Sequence, residues 1–269
     1  MPLRIALVGT GRMGAAVEAT AVAAGHAVVA RFGSATPIAD LRDDADLHDA
    51  DLAIDFSTPD AALDNLHRYA ALGLDAVVGT TGWHDDPGSG PGQSLSKVEA
   101  WIEEGQNAVL HAPNFSLGVA VLRRALQAAL PLLDQLPSFD AYVHELHHTG
   151  KQDSPSGTAL LLADDVVSGL ARKTHIEPET QHGRLDATAL HVTSTRVGAV
   201  FGEHTVGFDS EAEHLAFQHV AKSRAVFAEG AVRAAEWLRS EERHGLFTLD
   251  DMLDDFLSAT FQTNNMLDN

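Results

Sequence analysis

The chain has no cysteine among its 269 residues. That excludes disulfides and thiolate metal sites. Lysine is scarce too: Lys97, Lys151, Lys173 and Lys222 are the only four, within 18 basic residues set against 38 acidic ones. A formal net charge of −20 argues against nucleic acid and anionic membranes as partners. It does not imply a cationic substrate, because the acidic residues are spread along the whole chain. Such heavy use of Asp and Glu with so few lysines is compatible with adaptation to high salt, which stability measured against salt concentration would test. No apolar run approaches the roughly 18 residues of a membrane helix. The opening run Pro2–Val8 meets glycines too soon for a secretory leader, so a cytoplasmic location is expected.

What is present begins with an apolar run, residues 3–8, that suits a buried parallel strand. Gly9-Thr10-Gly11-Arg12-Met13-Gly14 follows it, and a helical pattern, Ala15–Ala24, ends at Gly25. Strand, G-x-G-x-x-G and helix is the context that a dinucleotide fingerprint requires. Gly9 allows the tight turn, Gly11 lets a pyrophosphate reach the backbone, and Gly14 lets the helix pack on the strand. After the second strand, residues 26–32, a ribose-binding carboxylate is usual. This chain has Arg31, Phe32, Gly33 and Ser34 there. Arg31 and Arg12 could accept a 2′-phosphate, or Arg31 could simply be a solvated strand end; the residues alone leave both readings open.

Further strands are expected at 52–56, 75–78 and 108–111, with helices at 61–72 and 95–104. Residues 40–51 read as an acidic surface stretch and 85–94 as a Gly/Pro/Ser-rich loop. Three strands thus end in small or polar loops, Asp55–Pro59, Gly79–Gly82 and Ala112–Ser116, where the nicotinamide half of a dinucleotide would lie. Beyond an amphipathic helix at 117–133, the alternation of strand and helix gives way to strands in series at 139–148, 190–197, 202–209 and 214–220, with one helix at 157–172. That pattern indicates an α+β domain with a mixed or antiparallel sheet. One face of that sheet would need cover, plausibly from a second subunit. A helix at 224–238 returns to the first domain, and the tail from Gln262 reads as frayed. The expectation is an α/β chain with a Rossmann-like domain at 1–116 and 219–269, and a substrate-binding and oligomerisation domain at 117–218.

The chemistry concentrates in Glu145-Leu-His-His-Thr-Gly-Lys-Gln-Asp-Ser-Pro-Ser-Gly-Thr158. A strand runs into His147 and His148, then into a loop carrying Lys151 and Asp153. Ser156 is a natural N-cap for the helix that follows, and the amides at that helix start, Gly157 and Thr158, attract anions. Imidazole, amine and helix end together suit a carboxylate-bearing substrate that needs a proton. A zinc site on His144, His147 and His148 is the rival, but three histidines on one strand do not readily face one ion. No metal is expected.

Together these motifs resemble the 4-hydroxy-tetrahydrodipicolinate reductase (dihydrodipicolinate reductase) family over nearly the whole chain. Residues 145–159 match its E-x-H-H-x-x-K-x-D-x-P-S-G-T-A signature. Gly11-Arg-Met-Gly14, Gly79-Thr-Thr-Gly-Trp83 and Ala112-Pro-Asn-Phe-Ser116 are similar to its cofactor motifs. Arg196-Val-Gly, Gly202-Glu-His204 and the stretch 219–224 are similar to its later segments. The resemblance implies His147 as acid/base, Lys151 as proton donor, and His148, Gly157 and Thr158 as holders of a cyclic imine dicarboxylate. It also implies a homotetramer and NADPH or NADH held at Gly11–Gly14, Gly79, Thr80, Thr81, Ala112, Pro113, Asn114 and Phe115, to which the residues' own pattern adds Gly9, Thr10 and Arg31 as cofactor-binding candidates. A non-catalytic dinucleotide sensor would leave Lys151 and the Ser156 helix start without a role. Related amino-acid dehydrogenases share the glycines but not the His-His-x-x-Lys segment.

Overall fold

The structure is a computed structural model that describes residues 1–41, 47, 49–83 and 93–267. It divides into two compact units, Met1–Ser116 with Phe227–Asn269, and Leu117–Val226. The second unit extends past the expected boundary at 218 because its last strand is hydrogen-bonded to its neighbour as far as Ala221. Among the described residues, no helix is long and apolar enough to cross a membrane.

The first unit is a six-stranded parallel sheet with strands β1 (Arg4–Val8), β2 (Ala27–Phe32), β3 (Leu52–Asp55), β4 (Asp75–Val78), β5 (Ala108–His111) and, at its far edge, Gly245–Phe247. The order across the sheet is last strand, β5, β4, β3, β1, β2. β3 and β4 are buried at every residue, as the short apolar runs predict for strands covered on both faces. Helices α1 (Arg12–Ala23), α2 (Pro59–Leu72) and α3 (Gln93–Gly105) connect them. Pro59 opens α2 and Gly73 closes it in the left-handed conformation. One core joins Val8, Phe32, Ile38, Ala53, Leu66, Tyr69, Val78, Trp83, Val98 and Val109. Ile38, Leu41 and Leu47 are buried, so part of the stretch beginning at Asp40 packs instead of lying on the surface. The predicted loop at 85–94 falls almost wholly outside the described residues.

The second unit holds a five-stranded mixed sheet. Its strands are β6 (Asp140–His147), β7 (His175–Glu177), β8 (Ala189–Arg196), β9 (Gly202–Asp209) and β10 (His214–Ala221), ordered β10-β9-β6-β8-β7. β6 is antiparallel to β9 and parallel to β8. Its residues alternate between buried and half-buried, which is the period-two pattern of a strand covered on one face. The cover is α4 (Leu117–Asp134) and α5 (Gly157–Gly169), whose Leu122, Leu126, Leu130, Leu162 and Val166 pack on Ala141, Val143, Val192, Val206 and Phe208.

Periodicity passed over three elements. β7 and the strand Gly245–Phe247 have three residues each, too few to show a period. The tail does not fray at Gln262: helix α7 runs Leu249–Leu267, after α6 (Ala225–Leu238). A reciprocal cap starts α7, with Thr248 N–H donating to Asp251 Oδ2 at 2.7 Å and Asp251 N–H to Thr248 Oγ1 at 3.4 Å.

Candidate active site

In the first unit the functional loops follow β1, β3, β4 and β5. All four strands are parallel neighbours, so their loops share one edge of the sheet. The fingerprint glycines are bare for packing reasons. A Cβ on Gly9 would stand 2.3 Å from the Phe56 carbonyl oxygen, and one on Gly14 would stand 1.9 Å from the Gly9 carbonyl oxygen. Gly11 differs: a Cβ there would meet nothing within 4 Å. Gly11 is also the N-cap of α1, and no side chain caps that helix start. An open, uncapped helix start beside exposed Thr10 and Arg12 fits the pyrophosphate of a dinucleotide.

Beside it lies a buried carboxylate network that the motifs did not single out. Asp55, 0% exposed at the end of β3, accepts from Ser57 N–H at 2.7 Å, Asn65 Nδ2 at 3.0 Å, Tyr69 O–H at 2.6 Å and Thr80 Oγ1 at 3.4 Å. Burial, then the Asp55 charge, pushes the Tyr69 phenol well above its usual range, so it stays a donor. The Thr80 carbonyl is held by Trp83 Nε1 at 2.9 Å and lies 3.2 Å from His111 Nε2. Gly79 is bare because a Cβ would enter the Phe56 ring at 2.2 Å, and Phe56 in turn packs edge-on against Phe115. The predicted residues Gly79, Thr80 and Thr81, and Ala112, Pro113, Asn114 and Phe115, thus belong to two neighbouring loops, of which Asp55 anchors the first. The signal for Asp55 was one acidic residue inside a buried apolar run.

Arg31 lies at the exposed end of β2, and its guanidinium is paired with Glu18 through both Nε and Nη2. Glu18 is six residues beyond Arg12 along α1, about 9 Å down the helix from its start. In this arrangement Arg31 is drawn away from the helix N-terminus.

In the second unit the sheet register assembles the site. Glu145 lies opposite Ser194 on β8 and His204 on β9, and His147 lies opposite Arg196. Glu145 is 0% exposed, His147 7% and His204 5%. Glu145 Oε1 accepts from Ser156 N–H at 3.0 Å, Ser194 Oγ at 2.7 Å and Arg196 Nη2 at 2.9 Å. Its Oε2 stands 2.7 Å from His147 Nδ1 and 3.8 Å from His204 Nε2. The Nδ1–H direction is off line, so the close pair is a contact between the carboxylate and the ring and not a well-formed hydrogen bond. Burial raises the Glu145 carboxyl, but the donors on Oε1 outweigh it and hold its pKa down at about 2. Burial lowers His147, and burial with the neighbouring His147 lowers His204 to about 4, so both rings are neutral near pH 7.

Ser156 caps α5 as predicted, its Oγ accepting from Ala159 N–H at 3.2 Å while standing 3.2 Å from His204 Nε2. The helix start is open at Gly157, where a Cβ would meet nothing within 4 Å, and Thr158 follows it half-buried. Lys151 Nζ is held by Asp153 at 2.8 Å, and Arg196 Nη2 ties the Asp153 carbonyl at 2.6 Å. The Lys151 charge acts on His147 from this loop. His148 is half-buried just past β6, its Nδ1 close to its own turn at Gly150. Sequence reading did not foresee the roles of Glu145, Ser194, Arg196 and His204 around His147. His144 bonds to Thr193 Oγ1 at 2.7 Å and is no part of the cluster. Glu145, His147 and His204 do place ligand-type atoms within 4.8 Å of one another. Arg196 and Lys151 already supply positive charge there, which opposes a cation.

A parallel sheet with an open glycine-rich helix start, and a separate mixed sheet carrying a buried imidazole and a loop lysine, define a two-domain pyridine-nucleotide-dependent oxidoreductase. The particular family follows from comparison. Residues 3–115 match the dihydrodipicolinate reductase N-terminal family and residues 118–253 its C-terminal family. The 4-hydroxy-tetrahydrodipicolinate reductase of Archaeoglobus fulgidus is 36% identical over 94% of this chain and 100% of its own. That of Natronomonas pharaonis is 37% identical over 93% and 99%. A dipicolinate-bound dihydrodipicolinate reductase from Paenisporosarcina sp. TG-14 shares the fold, with a TM-score of 0.71 over 92% of this chain and 98% of its own at 19% identity. The chain belongs to the dihydrodipicolinate reductase family.

Proposed function

We propose that the chain reduces 4-hydroxy-2,3,4,5-tetrahydrodipicolinate to 2,3,4,5-tetrahydrodipicolinate with loss of water, in the diaminopimelate route to lysine. The observation that carries this reading is His147, neutral and backed by an ionised Glu145, ahead of Lys151 and the open helix start at Gly157. NADPH or NADH, when bound, supplies the hydride that goes to C4 of the ring. The uncapped start of α1 and Gly9–Gly14 hold the pyrophosphate. The loops at Gly79–Thr81 and Ala112–Phe115 hold the nicotinamide half. His148, Gly157 and Thr158 receive the substrate carboxylates, the last two through the helix end. The reduced ring is electron-rich and takes a proton, which Lys151 gives, while His147 exchanges protons as acid/base.

NADPH is used at least as well as NADH, since Gly33 puts no carboxylate beside the ribose. Arg31 can join a 2′-phosphate only by leaving Glu18. The sheet face of β6, β9 and β10 opposite α4 and α5, where Val220 is 47% exposed, is the surface through which a homotetramer of this cytoplasmic enzyme assembles.

The test is an assay with substrate generated from pyruvate and aspartate semialdehyde, following oxidation of each nucleotide separately. Both should be consumed, NADPH at least as fast. No oxidation of either would overturn the reading.

A further inference from the structure

The three hydrogen-bond donors to Glu145 are all on the same oxygen, and the His147 and His204 rings stand on the side of the other. Ser156 N–H, Ser194 Oγ and Arg196 Nη2 all reach Oε1. Oε2 has no in-line donor and faces His147 Nδ1 at 2.7 Å. A carboxylate that served only to tie β6, β8 and α5 together would be satisfied on both oxygens, because a buried, unsatisfied acceptor costs stability. Here the free side of a completely buried anion is aimed at the ring that the proposed reaction uses. On the far side of that ring, a Cβ on Gly202 would stand 3.0 Å from Nε2, so a glycine is what leaves this nitrogen room.

We infer that Glu145 is the positioning residue of His147: it holds the ring by its Nδ1 side, raises its proton affinity and leaves Nε2 to exchange the proton. The inference rests on His147 being the acid/base group. The three donors on Oε1 have a definite part in it. They keep Glu145 ionised, with its pKa at about 2, so its charge is present throughout the working pH range.

The other charged and titratable groups around His147 work against that charge. Burial lowers its proton affinity, and so do Lys151 from the loop and Arg196 from β8, while Asp153 adds a small opposite push. His204 from β9, held at about 4, and His219 from β10, also lowered by burial, are neutral near pH 7 and do not compete as cations. Glu145 is therefore the main group that raises the proton affinity of His147 against burial and the two cations. When the ring becomes an imidazolium, the same carboxylate stabilises it.

The experiment is a pH titration of His147 in the free enzyme by histidine-selective 15N NMR, its signal assigned by loss in His147→Gln, beside the pH profile of kcat/KM. Glu145→Gln, checked for folding by circular dichroism, should move the His147 midpoint down by about one unit or more. It should also lower kcat by about 10- to 100-fold, the usual range for losing an outer partner, with KM changing less. Glu145→Asp should give a smaller shift. Ser194→Ala removes only an Oε1 donor and should leave the midpoint in place. A folded Glu145→Gln protein with the wild-type midpoint overturns the inference, as does an equal shift in Ser194→Ala. Should Glu145→Gln fail to fold, Glu145→Asp decides, and an unmoved midpoint overturns it. The NMR reading needs no turnover, so it stays separate from the catalytic reading, which falls on its own if His147→Ala keeps normal activity.

Discussion

Each unit is built around one fully buried carboxylate, and the two are used in opposite ways. Asp55 has donors on both oxygens, all neutral: a backbone amide, an amide side chain, a phenol and a hydroxyl. Glu145 has its donors, one of them an arginine, crowded on a single oxygen. A closed network fixes a shape, here the loops at Ser57 and Thr80. A network left open on one side fixes a charge and points it at something, here His147. The contrast teaches that burial of a carboxylate does not by itself set its use; which of its oxygens are paired does.

The largest effect should come at the end of the open network. His147→Ala and Lys151→Ala should each lower turnover by about two to four orders of magnitude, the range for losing general acid–base help, with the melting temperature little changed. Near-normal turnover in either would remove that residue from the chemistry.

Damage to the closed network should show as stability instead. Asp55→Ala strands three side-chain donors and an amide, and should cost roughly 3–5 kcal/mol in urea unfolding. Tyr69→Phe, which loses one hydrogen bond to the carboxylate, should cost about 1.5–3 kcal/mol. If instead Asp55→Ala left stability intact and mainly moved the pH profile of kcat/KM, the distinction between the two carboxylates would be wrong.

Acid should separate the units next. The folded pKa of His204 is about 4, below its ordinary value of 6.5, so the unfolded chain binds more protons between those values. Its contribution is present above pH 6.5 and lost as pH falls toward 4, on the order of 3 kcal/mol. His147 and His219 shift in the same direction. Glu145, lowered from 4.5 to about 2, is lost only below that window. Urea midpoints of the transition that unfolds the second unit should therefore fall between pH 6.5 and 4.5, and fall less in His204→Gln. A flat wild-type profile would mean that the rings are hydrated in solution.

The smallest effect concerns the exposed pair Arg31–Glu18. Glu18→Gln should release Arg31 and raise the NADPH/NADH ratio of kcat/KM by about two- to fivefold at low salt, in line with the small worth of surface ion pairs, and less at high salt. Gly33→Asp with Arg31→Ala should swing the ratio toward NADH. A ratio unmoved by Glu18→Gln and by Arg31→Ala would make Arg31 a solvated strand end.

Much of this was legible in the sequence because it is local. The glycine turn, the buried runs of β3 and β4, the alternation along β6 and the Ser156 cap each declare themselves within a few residues. The segment from Glu145 to Thr158 named His147, Lys151 and the helix start, and with the cofactor motifs it named the family. What the sequence could not supply is the partners of those residues. Ser194, Arg196 and His204 lie roughly fifty to sixty residues beyond Glu145 and reach it only because β8 and β9 flank β6 in one register; a slip by one residue would turn each side chain to the other face. Asp55 meets Tyr69 from the packed helix α2 and Thr80 just past the neighbouring strand β4, and Arg31 meets Glu18 across a strand–helix contact. The sequence determined which chemical groups the chain carries and what backbone holds each. The tertiary structure decided which carboxylate oxygen is satisfied and which is left facing a histidine, because that depends on register and burial, which no local pattern records.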